Sequence, residues 1–218
     1  MLHDDGFEMV PRLIANDQLA ELRRSLAVKS GVGRRGLLSN PAVRSIALSP
    51  AIISLLTRHL GRRARPVKAI FFDKTQDTNW LVPWHQDLTI AVQERHDTDG
   101  YGPWTVKDGV PHVQPPISVL EQMVTIRIHL DDCDETNGAL KVMPGSHEEG
   151  RLDAEAIRIW RECSMETVCH AKAGDALLMR PLLLHSSSRS TSKRQRRVLH
   201  IDYTVAELPA PLQWSEGG

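Results

Sequence analysis

The sequence is poor in cysteine: Cys133, Cys163 and Cys169 are the only three in 218 residues, and no two stand at CxxC spacing. An odd set so spaced excludes a disulfide framework and a zinc knuckle, and points to a reducing, cytoplasmic setting. Net charge is missing as well. The 27 basic residues cancel the 27 acidic ones, so no global field draws in nucleic acid or an anionic membrane surface. The short basic run TSKRQRRVL reads as a solvated edge carrying one functional arginine. No apolar run approaches the length of a membrane span, and MLHDDGFEMV lacks the basic-then-apolar order of an export signal. Repeats and low-complexity tracts are absent too. What remains is a chain of ordinary single-domain length, able to bury a sizeable core without staples, with a small molecule as its expected partner. Oligomeric state is left open.

Within that single domain, 1–218, residues 1–62 read as a helical flank. ANDQLAELRRSLA sets Leu19, Leu22 and Leu26 at helical spacing behind Asn16 or Asp17 as a cap. Asn40-Pro41 and Ser49-Pro50 each place a capping side chain before a proline suited to a first helical turn, and Gly61 closes the second of these helices. Residues 63–218 change texture, most clearly from Pro66 onward, to short apolar or alternating runs broken by Gly, Pro and Asn-Gly. Such a pattern predicts an antiparallel β-domain of sandwich or jelly-roll type, with flanking helices. The expected strands are VKAIFF, VPWHQDLTI, MVTIRIHL, ALKVM, DALLM, PLLLH and RRVLHIDY. Asn137-Gly138 is a hairpin signal and Pro144-Gly145 a tight turn. Residues 152–163 read as an inserted helix, and 93–116 as a long lid or binding loop.

Alternation along a strand sends His85 and Asp87 to one side and Gln86 to the other, so the outer pair of His-Gln-Asp can grip one ion. Two imidazoles and one carboxylate leave three positions open on an octahedral metal, which suits Fe(II) with a bidentate co-substrate and O2. Among the remaining histidines His185 is the best third ligand, as it ends the apolar run PLLLH. Ser187 shares its face, and Arg196 opens the next strand. An arginine fork with a neighbouring hydroxyl can hold a distal carboxylate through paired charge-assisted hydrogen bonds. Arg197 is the rival, but Arg196 shares parity with His200 and Asp202, whereas Arg197 shares it with Leu199, Ile201 and Tyr203.

These residues resemble the phytanoyl-CoA dioxygenase family of Fe(II)/2-oxoglutarate oxygenases. The family's WHQD stands at Trp84 to Asp87, its NGxLxVxPGSH at Asn137 to His147, its GD turn at Gly174-Asp175, and its HxS with a later arginine at His185, Ser187 and Arg196. The resemblance covers most of the chain. It implies a double-stranded β-helix of cupin-like type, iron on His85, Asp87 and His185, and 2-oxoglutarate anchored by Arg196 with help from Ser187. It further implies hydroxylation of a small molecule by O2, with 2-oxoglutarate decarboxylated to succinate and CO2. Related halogenases lack the carboxylate, so Asp87 favours hydroxylation. One departure is Arg189, near a position that is often Asn in relatives. An acyl-CoA substrate is not indicated by the residues.

Other candidates carry competing roles. Arg127 and His129 share a polar face of MVTIRIHL, and Arg127 either binds a ligand in the lumen or pairs with a buried acid. Lys74 meets the co-substrate or the substrate, or is simply solvated. Trp104 and His112 touch substrate, or Trp104 anchors its own loop. His147, after a Pro-Gly turn, is expected to make a structural hydrogen bond. Two alternatives stand beside the oxygenase. One is a metal-dependent cupin-like hydrolase or isomerase, which has no use for an oxoacid anchor. The other is a non-catalytic metal-binding relative.

Overall fold

The structure, a computed structural model, describes residues 1–27, 33–75 and 78–217. In chain order its elements are β1 (Phe7–Val10), α1 (Asn16–Ser25), α2 (Pro41–Ala47), α3 (Pro50–Leu60), β2 (Arg65–Lys74), β3 (Val82–His85), β4 (Ile90–Ala91), β5 (Trp104–Lys107), β6 (Val110–Val113), α4 (Ile117–Leu120), β7 (Met123–His129), β8 (Leu140–Val142), α5 (Ala154–Cys163), β9 (Thr167–Cys169), β10 (Ala176–Met179), β11 (His185–Ser187) and β12 (Arg196–Thr204). A five-stranded sheet runs β1-β10-β7-β12-β2, a four-stranded sheet β3-β11-β8-β9, and a small sheet β4-β6-β5. Every pairing is antiparallel. The two larger sheets face each other as a double-stranded β-helix.

Alternation decides which side of the large sheet is which. Val124, Ile126, Ile128 and Leu130 of β7 and its end, with Leu199, Ile201 and Tyr203 of β12, pack in one core with Leu22, Ile46, Ile52 and Leu56 of the helical flank. The opposite parity, including Arg127, Arg196 and His200, faces the space between the sheets and lines a cavity there. The helices therefore cover the outer, apolar face and leave the polar face to the lumen. Tyr203 fastens the two layers: its hydroxyl donates to the Ala47 carbonyl at 3.0 Å, satisfying a group at the end of α2. Leu177, Met179, Leu140 and Val142 form a separate apolar plug between the sheets.

Several local expectations change. The flank is not wholly helical, because β1 adds an edge strand to the large sheet through β10. Helix α1 starts behind Ala15 rather than Asn16 or Asp17, and Gln18 Oε1 accepts the Ala15 N–H at 3.1 Å. Asn40 does cap α2, accepting from Ala42 and Val43, whereas Ser49 makes no side-chain cap bond before α3. VPWHQDLTI splits into β3 and β4, and in PLLLH the strand begins at His185, because Pro181 to Leu184 spend their backbone groups in a turn and on neighbouring loops. Asn137-Gly138 is not a hairpin turn but part of a crossover, since β7 and β8 belong to different sheets.

Within residues 93–116 the chain forms the β5–β6 hairpin rather than an irregular loop. Its turn residues, Asp108 and Gly109, both have positive φ, 51° and 79°. An Asp-Gly pair is favoured at such a turn because its twist matches the flanking strands. That signal stands in the sequence as Lys107-Asp108-Gly109-Val110.

Candidate active site

The register of β11 against β3 pairs His185 with His85 across the small face of the lumen. Their rings lie 4.2 Å apart between centroids. Asp87 follows just beyond β3, where its N–H donates to the Pro181 carbonyl at 2.9 Å. Gln86, between the two candidate ligands, points away and is buried. Its amide nitrogen donates to the Gly150 and Leu182 carbonyls at 2.7 and 2.6 Å, and its oxygen accepts the Leu152 N–H at 2.8 Å. One side chain thus clamps the segment that carries both candidate ligands.

Each histidine has its tautomer set by a backbone carbonyl two residues upstream. His85 Nδ1 lies 2.9 Å from Pro83 O, and His185 Nδ1 lies 2.8 Å from Leu183 O. A carbonyl only accepts, so each Nδ1 carries the proton and each Nε2 is left free to bind a cation. Both Nε2 atoms turn to Asp87, at 3.8 Å from Oδ1 for His85 and 3.7 Å from Oδ2 for His185. The three ligand atoms all lie within 4.8 Å of one another. Burial lowers the proton affinity of His185, against the pull of Asp87. Burial works against ionisation of Asp87, but the combined positive potential of His185, His200, His85 and Lys68 outweighs it and holds the carboxyl below its ordinary range. A divalent metal requires the imidazoles neutral and the carboxylate ionised, and its own charge would take the place of their protons.

Deeper in the lumen the groups are cationic. Lys74 and Arg196 are direct partners in the β2–β12 ladder and both are buried. Arg196 Nη1 donates to the Gly138 carbonyl at 2.6 Å, which also accepts from Ser187 Oγ at 2.9 Å. Lys74 Nζ donates to Ser188 O at 2.7 Å and meets Ser187 Oγ at 3.2 Å, with its charge 5.0 Å above the Trp80 ring. Arg127 reaches the same region from β7. None of Lys74, Arg127 and Arg196 forms a salt bridge among the described residues, and Nε of both arginines is buried without a hydrogen-bond partner. Burial, then the charge of Arg196, lowers Lys74 to about 7 and Arg127 to about 10. Buried cations left without a counter-charge are costly unless an anion joins them.

Arg127 is oriented by a chain of contacts. Its Nη1 donates to His200 Nδ1 at 3.0 Å, His200 Nε2 therefore donates to Asp202 Oδ1 at 2.9 Å, and Asp202 Oδ2 pairs with Lys68 at 2.6 Å. Thr125 adds a hydrogen bond to Asp202 at 2.6 Å. The cavity enclosed by these groups has a volume of about 210 Å³.

His85, Asp87, His185, Ser187, Arg196, Arg127 and His112 all line this cavity, and Lys74 stands behind Ser187. Trp104 does not: it packs beside Ile90, Val92 and Val113, with Arg95 over its ring, as an anchor of the small sheet. Arg197 turns outward to a two-point ion pair with Asp131, at 2.9 and 2.7 Å. His147 meets the His3 carbonyl at 2.9 Å, away from the cavity. Arg189 is exposed. Sequence reasoning missed Trp80, Phe72, Arg35, Lys68 and Lys107 as lining residues. Parity with Arg196, carried across the register to β2, could have found Phe72 and Lys68.

Comparison with known proteins bears on the fold and the family. Over 192 residues, 74% of this chain and 62% of the relative, the sequence is 30% identical to L-proline trans-4-hydroxylase of Streptomyces griseoviridis, so the chain spans less than two thirds of that relative's length. The non-haem alpha-ketoglutarate-dependent carbocyclase SnoK from nogalamycin biosynthesis superposes with a TM-score of 0.71 at 16% identity, over 93% of this chain and 81% of that one. The epimerase SnoN, in complex with Fe3+, alpha-ketoglutarate and nogalamycin RO, gives 0.70 at 19% identity over 100% and 84%. At such identities these two likenesses speak to the fold. The profile of the phytanoyl-CoA dioxygenase (PhyH) family matches residues 2–198, and the chain belongs to that family.

Proposed function

We propose that this protein is an Fe(II)- and 2-oxoglutarate-dependent dioxygenase that hydroxylates a small molecule, releasing succinate and CO2. The observation that carries it is the meeting of His85, Asp87 and His185 beside three buried cations that form no salt bridge among the described residues. The donor set fits iron(II), with two neutral nitrogen ligands, one anionic oxygen and one open side. The cationic end fits the distal carboxylate of a keto-diacid, with Arg196 and Ser187 as its direct anchors and Lys74 and Arg127 adding charge. The metal supplies O2 activation when bound.

The chain's own residues do the rest. The carbonyls of Pro83 and Leu183 hold the Nδ1 protons and leave the two Nε2 atoms as the ligand nitrogens of the neutral rings, and Gln86 holds the His85–Asp87 segment in place. Ile70, Phe72, Val82 and Leu140 form apolar wall that keeps water out. The similarity to an L-proline hydroxylase supports hydroxylation as the outcome and a compact substrate. Neutral net charge and free cysteines accord with a cytoplasmic enzyme that engages neither nucleic acid nor membrane; no helix among the described residues is long and apolar enough to cross a bilayer.

Purified protein given Fe(II) without oxygen should bind 2-oxoglutarate and develop the visible absorbance of its iron chelate. Absence of both rejects the proposal. A cupin-like hydrolase or isomerase would keep its reaction in Arg196→Ala, and a non-catalytic relative would bind metal or co-substrate without turnover.

A further inference from the structure

Resting on the reading above, a second group of cations in the same cavity lies beyond the reach of 2-oxoglutarate. Lys68 and Lys74 both belong to β2 and share parity, but six residues separate them, on the order of 20 Å along an extended strand. A five-carbon diacid chelating a metal at His85 and reaching Arg196 is far too short to extend to Lys68. Around Lys68 stand Arg35 from the N-terminal flank and Lys107 from the β5–β6 hairpin, and all three line the cavity with Asp87 and His112. Burial lowers the His112 imidazole, and Lys107, Lys68 and Arg35 then lower it further, so these groups lie within reach of one another's charge.

Two of the three cations have a fixed partner. Lys68 pairs with Asp202, and Arg35 with Asp108 at the hairpin tip. Lys107 forms no salt bridge among the described residues; its ammonium meets Thr89 Oγ1 at 3.2 Å, leaving two of its three protons for another acceptor. Arg35 Nε is buried without a partner. Charge completes the comparison. With a divalent metal and a dianionic co-substrate in place these two cancel, Arg196 cancels Asp87, and the two ion pairs cancel internally. Lys107, Arg127 and Lys74 remain uncompensated, and of these Lys107 alone stands at the Lys68 end. The volume of about 210 Å³ lies below the roughly 300 Å³ at which typical small-molecule pockets begin.

We infer that the substrate is a compact organic anion whose acidic group docks against Lys107 and Arg35, with Lys68 behind them, on the Asp87 and His112 side of the metal site. A group placed there would lie across the cavity from the Arg196 end, so substrate and co-substrate are sorted by two separate cationic ends. The Arg35–Asp108 contact would also seat the hairpin tip beside the docked anion.

The test uses Fe(II)-loaded protein without oxygen, saturated with 2-oxoglutarate. It is titrated calorimetrically with the L-amino acids, a series of short monocarboxylates, their primary amides, and small phosphate monoesters. Binding of 2-oxoglutarate is measured first, so failure of the proposed function is seen separately. At least one acid or phosphate should bind in the millimolar range or tighter, with the matching amide weaker by about tenfold or more. Lys107→Gln and Arg35→Gln should each weaken that anion by about fivefold to tenfold while 2-oxoglutarate affinity stays within about twofold. Lys107 is exposed on a hairpin, so its replacement does not threaten folding. Amides binding as well as acids, no anion of the panel binding, or variants that leave anion affinity unchanged would each overturn the inference.

Discussion

Pro83 and Leu183 contribute only carbonyl oxygens to the site, yet those oxygens decide which nitrogen of His85 and His185 is free. Replacing any one of His85, Asp87 or His185 by Ala should abolish stoichiometric iron binding, measured by metal analysis after gel filtration, and with it turnover. The adjacent arginines give a sharper contrast. Arg196→Ala leaves the co-substrate's distal carboxylate without its fork and should weaken 2-oxoglutarate by about 100-fold, near 3 kcal/mol. Arg197→Ala instead breaks the ion pair with Asp131 and should cost about 1 kcal/mol of stability in a denaturant titration, with 2-oxoglutarate affinity unchanged. Parity in the sequence separates these neighbours, because one residue along a strand is one face of the sheet. It could not show that Lys68, on the same face of the neighbouring strand, belongs to the other end of the cavity.

At the scale of elements, the crossover from β7 to β8 matters most. Gly138 sits there at φ 80°, and a Cβ on it would stand 2.6 Å from the Ser188 carbonyl and 3.1 Å from Lys74 Nζ. Its own carbonyl receives both Arg196 and Ser187. Gly138→Ala should therefore lower stability by about 1–3 kcal/mol through backbone strain and contact, and should also raise the Kd for 2-oxoglutarate; unchanged co-substrate binding in a destabilised protein would show that the crossover does not position the anchor. Asn137-Gly138 was legible as a turn, but its use as a link between sheets was not, because a local signal carries no record of which strand lies across. The Asp108-Gly109 hairpin is legible as a turn pair, but the length and polarity of the surrounding segment mask the short strands that flank it. Strands β1, β5, β6 and β9 are short, and three or four residues hold too little alternation to stand out.

For the molecule as a whole, the polar lumen makes stability depend on pH. His129 is buried on the inner face, its ring nitrogens lack partners among the described residues, and burial, then Arg127, holds it down to about 3 from the ordinary 6.5. Between those values the unfolded chain takes up a proton that the folded chain refuses. The folded state is thus favoured in full above pH 6.5 and loses about 1.4 kcal/mol per pH unit from this group as pH falls toward 3. His129→Asn should flatten the slope of unfolding free energy against pH between 6.5 and 4.5 in the metal-free protein. Asp202 is opposed by burial but held well below its ordinary 3.8 by Lys68 and His200. Its stabilisation is complete above about pH 4 and is lost below, as the unfolded chain becomes protonated first.

The sequence by itself determined the family, the two-sided strands and the candidate ligand motifs at His85 to Asp87 and at His185 to Ser187, because each depends on residue type and spacing within a few positions. That Arg196 and Lys74 share one end of a lumen, that Lys68, Arg35 and Lys107 gather at the other, and that Trp104 faces a core instead of the site were decided only by the tertiary structure. Those facts follow from strand register and from the closure of two sheets, which join residues far apart in the chain and leave no mark in any local pattern.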